Sequence, residues 1–357
     1  METRKIQKIG SGTFTVSLPQ EWAQSEDLEQ GSVVNLHTHI DGKVIVQPQA
    51  DENDPTNHVT VEIAHNDAEY IKQVVQAAYA AGFDEVTLAA QESFTGVHRQ
   101  AVNEIASILA GVVVSEESEK QITVQILLDP EEISVRQLVR QLKVVVLSMH
   151  RNATATLSSD RPVASLADRD EYADRLYALT DRSFERALSR LDEIDALGWT
   201  RTELFELWVT AHELERIADH AEHVSETTAE FGDSEDVAYA DELQQIAQMT
   251  RNIVDDAVSS IVGDADVDAA LQALTLRDQV REKTAALDRR LFEASAADYR
   301  LALILNSLRR TVEHGGNIAE RELQAAIRRG DLASEQTNNN VADGYRQESS
   351  NVVGSNR

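Results

Sequence analysis

The spacing of apolar residues divides this 357-residue chain into three parts. Short alternating runs of apolar and polar residues in 1–48 are typical of strands with one covered face. Residues 59–128 predict a strand–helix–strand–helix–strand–strand order, for which a ferredoxin-like layer is one arrangement. From residue 133, apolar positions recur every three or four residues nearly to the end of the chain, which predicts an all-helical half.

The first 48 residues predict a small β unit with one short helix. Strands Ile6–Ile9 and Thr13–Leu18 flank a Gly-Ser-Gly turn, and Pro19 begins the helix. A second hairpin is predicted around Asp41 and Gly42, a pair typical of a type I′ turn. A unit this small buries too little surface to be stable alone, so we expect it to pair with a second copy.

Two polar segments interrupt the pattern. Residues 49–58 are rich in acidic residues and contain Pro55, which predicts a linker. Residues 331–357 contain few apolar side chains, which predicts a disordered tail. The predicted helices between these segments are Ser134–Leu157, Leu166–Asp195, Thr202–Phe231, Tyr239–Val262, Val267–Ala294 and Asp298–Arg329.

The helical half contains an internal repeat. The sequence LERIADHAEHVSE, from Leu214, aligns with LRRTVEHGGNIAE, from Leu308, and the segment at Met149 aligns with the segment at Met249. Three helices recur in the same order. Residues 133–231 and 239–329 are therefore predicted to be two copies of one three-helix bundle.

Acidic residues of the first bundle occur in pairs at helical spacing. Asp170 and Asp174 share a face of one predicted helix, and Glu215 and Asp219 share a face of the next. If these helices pack antiparallel, the four carboxylates meet, and like charges repel unless a cation neutralises them. The pattern predicts a site for a divalent or trivalent metal ion. The alternative is a solvated acidic face, which is common in acidic proteins.

The composition narrows the class of protein. The net charge is −29, from 62 acidic and 33 basic residues, and lysine is scarce relative to arginine, which suggests a halophilic source. Stability and monodispersity in dilute buffer would contradict that suggestion. There is no cysteine, no apolar run of about 18 residues and no apolar signal segment at the N-terminus, so we expect a cytoplasmic protein without membrane insertion.

The N-terminal unit resembles the AbrB/SpoVT family of swapped-hairpin DNA-binding domains. The resemblance rests on KIQKIGSGTFTVSLPQEW followed by LEQGSVVNLHTHIDGKVIVQP. It implies a homodimer that presents basic side chains to DNA, and the alternative is a dimerisation module without DNA contact. The residues expected to contact DNA are Arg4, Lys5 and Lys8, with Ser11, Thr13 and Thr15 bonding phosphates.

The helical half resembles the PhoU family of phosphate-uptake regulators, on the segment ELERIADHAEHVSE within the tandem repeat. The resemblance implies metal binding by Glu215 and Asp219 together with acids of the neighbouring helix. In the second copy Arg309 replaces the glutamate, and an arginine cannot ligate a cation. A degenerate second site is therefore expected, in which Arg309 neutralises acids. The acids of that second site are Asp278, Glu282 and Glu313.

The fold class predicted is multidomain: a swapped-hairpin β domain, a small α/β segment, and an all-α tandem repeat of three-helix bundles. The resemblances imply a regulator of phosphate uptake that binds DNA and contacts the phosphate ABC transporter ATPase or a phosphate-signalling partner. One alternative is an AbrB-type regulator whose helical domain is unrelated to phosphate. A remote alternative is a di-metal carboxylate enzyme, but the candidate helix carries no Glu-x-x-His motif of the ferritin-like kind. We therefore expect no catalysis.

Overall fold

The computed structural model describes most of the chain. Of the predicted linker at 49–58, residues 49–57 lie outside the described residues, and His58 begins a strand. Residues 333–357 of the predicted tail at 331–357, and Ser11, also lie outside the described residues. The described residues are 3–10, 12–48, 58–64, 67–155, 157, 166–231, 237–293 and 298–332.

The N-terminal unit consists of two separate antiparallel strand pairs and one short helix. The turn of the second pair differs from the type I′ prediction. The carbonyl of His39 accepts from the amide of Gly42 at 2.9 Å, and only Gly42 in this turn has positive φ, at 81°. That geometry is typical of a type I turn followed by a one-residue bulge. The elements are β1 (Gln7–Ile9), β2 (Thr13–Thr15), α1 (Gln20–Ser25), β3 (Val34–Thr38) and β4 (Val44–Pro48).

The N-terminal unit has no apolar core of its own among its described residues. Ile6, Phe14 and Leu36 are 70%, 67% and 66% exposed, and neither of the two buried apolar clusters of the protein includes a residue of this unit. Apolar side chains so exposed on short strands favour a second surface that covers them.

The α/β segment is a four-stranded sheet with order β5-β6-β8-β7, in which β5 and β6 are parallel and the other pairs are antiparallel. The predicted element order is confirmed, but the ferredoxin-like arrangement is wrong because that fold alternates as βαββαβ. The elements are β5 (His58–Ile63), α2 (Ala68–Ala80), β6 (Glu85–Ala90), α3 (Gly96–Ile108), β7 (Val112–Glu117) and β8 (Gln121–Ile126).

The helical half follows the predicted pattern with one interruption. The helix expected over 166–195 breaks at Arg190, whose backbone is extended and whose side chain bonds Asp84 and Glu193. Among the described helices, none is long and apolar enough to cross a membrane. The helices are α4 (Val135–Ala155), α5 (Ala167–Ser189), α6 (Leu191–Ala196), α7 (Arg201–Ala229), α8 (Ala240–Ile261), α9 (Val267–Glu293) and α10 (Tyr299–Arg329).

The two repeats share one apolar core. Helices α4, α7, α10 and α8 pack around it, while α5 flanks the first repeat and α9 flanks the second. A close approach between helices of the second repeat occurs at Gly315, where an added Cβ would lie 2.9 Å from the side chain of Ile253. Glycine at this position therefore allows α10 to approach α8.

Arginines of α5 join the first bundle to the α/β segment. Arg182 is 2% exposed and donates to the carbonyls of Tyr79 and Phe83 at 2.9 and 2.8 Å and to Asp84 at 3.0 Å. The positive charge therefore lies at the C-terminal end of α2, where the helix dipole favours a cation. The N-terminal unit also contacts the bundle, through His39 Nδ1, which lies 2.5 Å from Asp195 Oδ1.

Candidate functional site

Side-chain contacts between α5 and α7 define how the acidic pairs face each other. Trp208 Nε1 donates to Asp181 at 2.7 Å, and the Tyr177 hydroxyl lies 3.1 Å from His212 Nδ1. Between these two contacts the residue number falls by four on α5, from Asp181 to Tyr177, and rises by four on α7, from Trp208 to His212. The two helices therefore pack antiparallel in this register. Continuing that register by one and two turns places the region of Asp174 opposite Glu215 and that of Asp170 opposite Asp219. The four predicted ligands therefore lie on one surface of the first bundle.

The electrostatics of this acidic cluster show that its members are close. Burial raises the pKa of Glu215 to about 7, with repulsion from Asp219 adding to the shift. Burial raises the pKa of Asp174 to about 6, with Asp170 and Asp219 contributing. Asp174 lies nearer to solvent than Glu215, so water screens part of its repulsion. The pKa of Asp170 is also raised, by burial and by Asp219.

The cluster includes Glu222, which our predicted ligand set omits. Burial raises the pKa of Glu222, and the charges of Asp170, Glu226 and Asp219 raise it further. Its position three residues after Asp219, on the same side of α7, is the sequence signal that could have included it. The corresponding residue in the second repeat is Gly316.

Two oxygens of the acidic cluster have no hydrogen-bond partner among the residues that the structure describes. These are Asp170 Oδ1 and Glu215 Oε2, both buried. The cation nearest to Glu215 is Arg216, whose Nε lies 3.5 Å from Oε2, too far for a hydrogen bond. Carboxylate oxygens are the ligands of hard cations such as Ca²⁺ and Mg²⁺, so the chemistry of the donors fits. Their present spacing does not, because within the described ranges no three His, Asp or Glu side chains form a group that could hold a metal ion.

Two of the three predicted acids of the second repeat, Asp278 and Glu313, are paired with arginines. Arg281 donates to both carboxylate oxygens of Glu313, one at 2.8 Å and one closer. Asp278 lies 3.2 Å from Arg277 Nε and 3.4 Å from Arg281 Nη1. The pKa of Glu313 is lowered, first by its hydrogen bond with Arg281.

The neutralising arginine of the second repeat differs from the one predicted. Arg309 donates to Asn306 at 3.0 Å, and Arg281 of α9 pairs with the acids instead. Sequence alignment of the repeats identifies the substituted position but does not show which cation of the neighbouring helix reaches the carboxylates. Glu282 is exposed on α9.

The predicted DNA-contacting residues lie on the first strand pair of the N-terminal unit. Arg4, Lys5 and Lys8 are exposed in and before β1, and Lys8 Nζ lies 6.0 Å from the centre of the Phe14 ring. Thr13 is exposed on β2, and Thr15 donates to the carbonyl of Gln7 at 3.4 Å.

Comparisons with known families and structures match the two halves of the chain separately. Residues 7–54 match the family model of the antidote-toxin recognition protein MazE, a bacterial antitoxin, and residues 139–228 match that of the PhoU domain. Residues 7–54 are thus similar to a MazE/AbrB-like domain and residues 139–228 to a PhoU domain, which confirms both resemblances for those residues. A search of curated proteins finds no relative.

Two solved structures are similar to the chain. One is PhoU from Pseudomonas aeruginosa, which is 21% identical with a TM-score of 0.41 and covers 55% of this chain and 96% of its own. The other is the phosphate transport system regulatory protein PhoU from Streptococcus pneumoniae, which is 15% identical with a TM-score of 0.41 and covers 56% of this chain and 96% of its own.

Proposed function

We propose that this protein is a dimeric, cytoplasmic DNA-binding regulator of phosphate-responsive genes, and not an enzyme. The observation that carries the proposal is the union of a MazE/AbrB-like segment with a PhoU domain in one chain. The helical half relays phosphate status and contacts the phosphate transport system or a phosphate-signalling partner. The N-terminal unit converts that status into gene expression.

The charge distribution supports a nucleic-acid role for the N-terminal unit. In a chain of net charge −29, Arg4, Lys5 and Lys8 are exposed in and immediately before β1. Phosphate contacts depend on such cations and on hydroxyl donors such as that of Thr13, and Thr15 can join them by releasing the carbonyl of Gln7. Ser11, the remaining predicted contact, lies outside the described residues.

The exposed apolar strands of the N-terminal unit support a homodimer. A unit that has no core among its described residues gains one when a second copy covers its strands. Two copies also double the number of phosphate contacts, which raises affinity for a two-fold symmetric operator.

We further propose that Asp170, Asp174, Glu215 and Asp219 bind a divalent or trivalent cation when their side chains turn toward one another, since their present spacing in the described structure does not form a metal site. The unpartnered oxygens of Asp170 and Glu215 and the raised pKa values of the cluster support this proposal. The bound cation would neutralise the mutual repulsion of the carboxylates and so stabilise the contact of α5 with α7.

The decisive experiment is genome-wide DNA occupancy of the full-length protein at high and low phosphate. We expect occupancy at phosphate-transport promoters that changes with phosphate, and its loss in a variant with Arg4, Lys5 and Lys8 replaced by alanine. Dimerisation of that variant must be retained, which sedimentation checks. Occupancy confined to promoters unrelated to phosphate would favour the AbrB-type alternative. No occupancy in either condition would exclude a DNA-binding regulator.

A further inference from the structure

A polar cavity of about 460 Å³ lies between the C-terminal end of α4 and the N-terminal end of α8. It contains one arginine from each repeat, Arg151 and Arg251, which occupy equivalent positions in the aligned segments that follow Met149 and Met249. The junction of the two repeats thus brings two guanidinium groups to one cavity. None of the predicted metal ligands of α5 and α7 lines this cavity, so it is separate from the acidic cluster.

The guanidinium of Arg251 is half-buried and, among the residues that the structure describes, is bonded only to neutral groups. It donates to Gln248 Oε1 at 2.8 Å and to Thr154 Oγ1 at 3.0 Å, and it lies 3.3 Å from His150 Nδ1. Its Nε is buried without a hydrogen-bond partner. Burial and the charge of Arg151 lower the pKa of Arg251 to about 10. The positive charge of Arg251 is therefore not compensated by a carboxylate.

Arg151 is exposed and forms no ion pair with any of the residues that the structure describes. Several other arginines at helix contacts pair with carboxylates, as Arg281 of α9 does with Glu313 of α10. One carboxylate, that of Asp241, lines the cavity, but it lies beyond 4 Å from both guanidinium groups. The cavity thus carries two positive charges and one negative charge.

The remaining lining suits an oxyanion. Gln245 supplies an amide that can donate hydrogen bonds, and the Gln248 amide keeps one N–H beyond the one that it donates to Asn252 at 2.9 Å. The Thr154 hydroxyl already donates to the carbonyl of His150 at 2.9 Å. Guanidinium groups match the oxygens of phosphate in planar, bidentate pairs.

We propose that this cavity between the repeats binds an oxyanion of the phosphate class, as free phosphate or as the phosphate group of a small phosphomonoester. The inference rests on the proposed function, since it supplies the ligand through which the helical half reports phosphate status. Binding would tie α4 of the first repeat to α8 of the second and so fix the junction between them.

The test is calorimetric titration of inorganic phosphate into the full-length protein at constant ionic strength, with adenosine monophosphate as a second ligand. We expect Arg151→Gln to weaken the Kd of the bound ligand at least about tenfold, the effect of one lost charge-assisted hydrogen bond. Asp241→Asn should tighten binding severalfold because it removes the one negative charge. The control Arg309→Gln removes an exposed arginine of α10 and should leave the Kd unchanged.

The outcomes separate the two sources of phosphate and separate this inference from the proposed function. Binding of inorganic phosphate identifies the free ion, whereas binding of the nucleotide alone identifies the phosphomonoester. Absence of binding by both, or equal affinity of the wild type and Arg151→Gln, would overturn the inference even if phosphate-dependent promoter occupancy persists. Site-specific binding with no phosphate-dependent occupancy would instead overturn the proposed function and leave the oxyanion site standing.

Discussion

At the scale of single residues, the chemistry of this protein depends on polar side chains held partly or wholly out of water. His150 of α4 is 1% exposed, and its Nδ1 faces Arg251 at 3.3 Å, which places the ring proton on Nε2. Burial, together with the charges of Arg251 and His220, lowers the pKa of His150 to about 3. The folded protein therefore holds this ring neutral throughout the physiological pH range.

The pH dependence of stability follows from His150. Its folded pKa lies below the unfolded value of 6.5, so the stabilisation is complete above pH 6.5 and decreases as the pH falls toward 3. At pH 5 this residue alone should cost about 2 kcal/mol of unfolding free energy relative to pH 8. His150→Asn keeps an acceptor for Arg251. This variant should lose about 2 kcal/mol less unfolding free energy than wild type between pH 8 and pH 5, as measured by urea unfolding at each pH. The control is His223→Asn, which changes an exposed histidine. If His150→Asn and His223→Asn show the same dependence of unfolding free energy on pH, His150 is not its source.

Replacing Glu215 of the acidic cluster should raise the stability of the protein without metal and lower the stabilisation that metal provides. Glu215→Gln removes a half-buried charge that Asp219 repels, so without metal the variant should be more stable than wild type by about 1 kcal/mol. With millimolar Mn²⁺ the wild type should gain thermal stability and the variant should not. Glu282→Gln, in the paired second repeat, is the control and should respond to Mn²⁺ like wild type. Equal Mn²⁺ stabilisation of wild type and Glu215→Gln would exclude Glu215 as a ligand.

At the scale of secondary-structure elements, the join between α5 and α2 depends on Arg182. Replacing this buried arginine with methionine removes its hydrogen bonds to the carbonyls of Tyr79 and Phe83 and leaves Asp84 with Arg186 and Arg190, so we expect a loss of about 3 kcal/mol in unfolding free energy. Arg175→Met, which removes a less buried donor to the carbonyl of Ile108, should cost about 1 kcal/mol. Hydrogen exchange in α2 should accelerate in the first variant. If Arg182→Met and Arg175→Met lose similar amounts of unfolding free energy, the burial of the arginine does not determine how much stability its loss costs.

The elements themselves were largely predictable, because each long helix carries its own apolar period and its own end signals. The limits of α7 and α10 follow from Thr200 and Asp298, whose side chains cap the helices, and from Gly330. The break at Arg190 was not predictable, since it depends on Asp84 in a different part of the chain. The acidic pairs of the first repeat could be predicted because each pair lies within one helix. The ion pair of Arg281 with Glu313 could not, because it depends on how α9 packs against α10.

At the scale of the whole molecule, the large negative charge and the exposed apolar strands act against each other. Each chain carries a net charge of −29, so two chains repel at low ionic strength and approach more readily when salt screens them. The N-terminal strands must overcome this repulsion by burying apolar surface. Dimerisation should therefore strengthen with increasing KCl, whereas DNA binding should weaken with it.

The N-terminal dimer can be tested with one substitution and a matched control. Leu36 on β3 is 66% exposed, and Leu36→Asp would place a charge on the apolar surface that a second copy is expected to cover. In molar KCl we expect sedimentation to give a dimer for wild type and a monomer for this variant. Leu188→Asp changes a leucine of α5 that is 49% exposed, and it should leave the dimer intact.

Because two copies double the phosphate contacts, the monomeric variant should also bind operator DNA at least about a hundredfold more weakly. A dimeric Leu36→Asp variant would place the interface elsewhere, and a monomeric variant with unchanged DNA affinity would separate dimerisation from DNA binding.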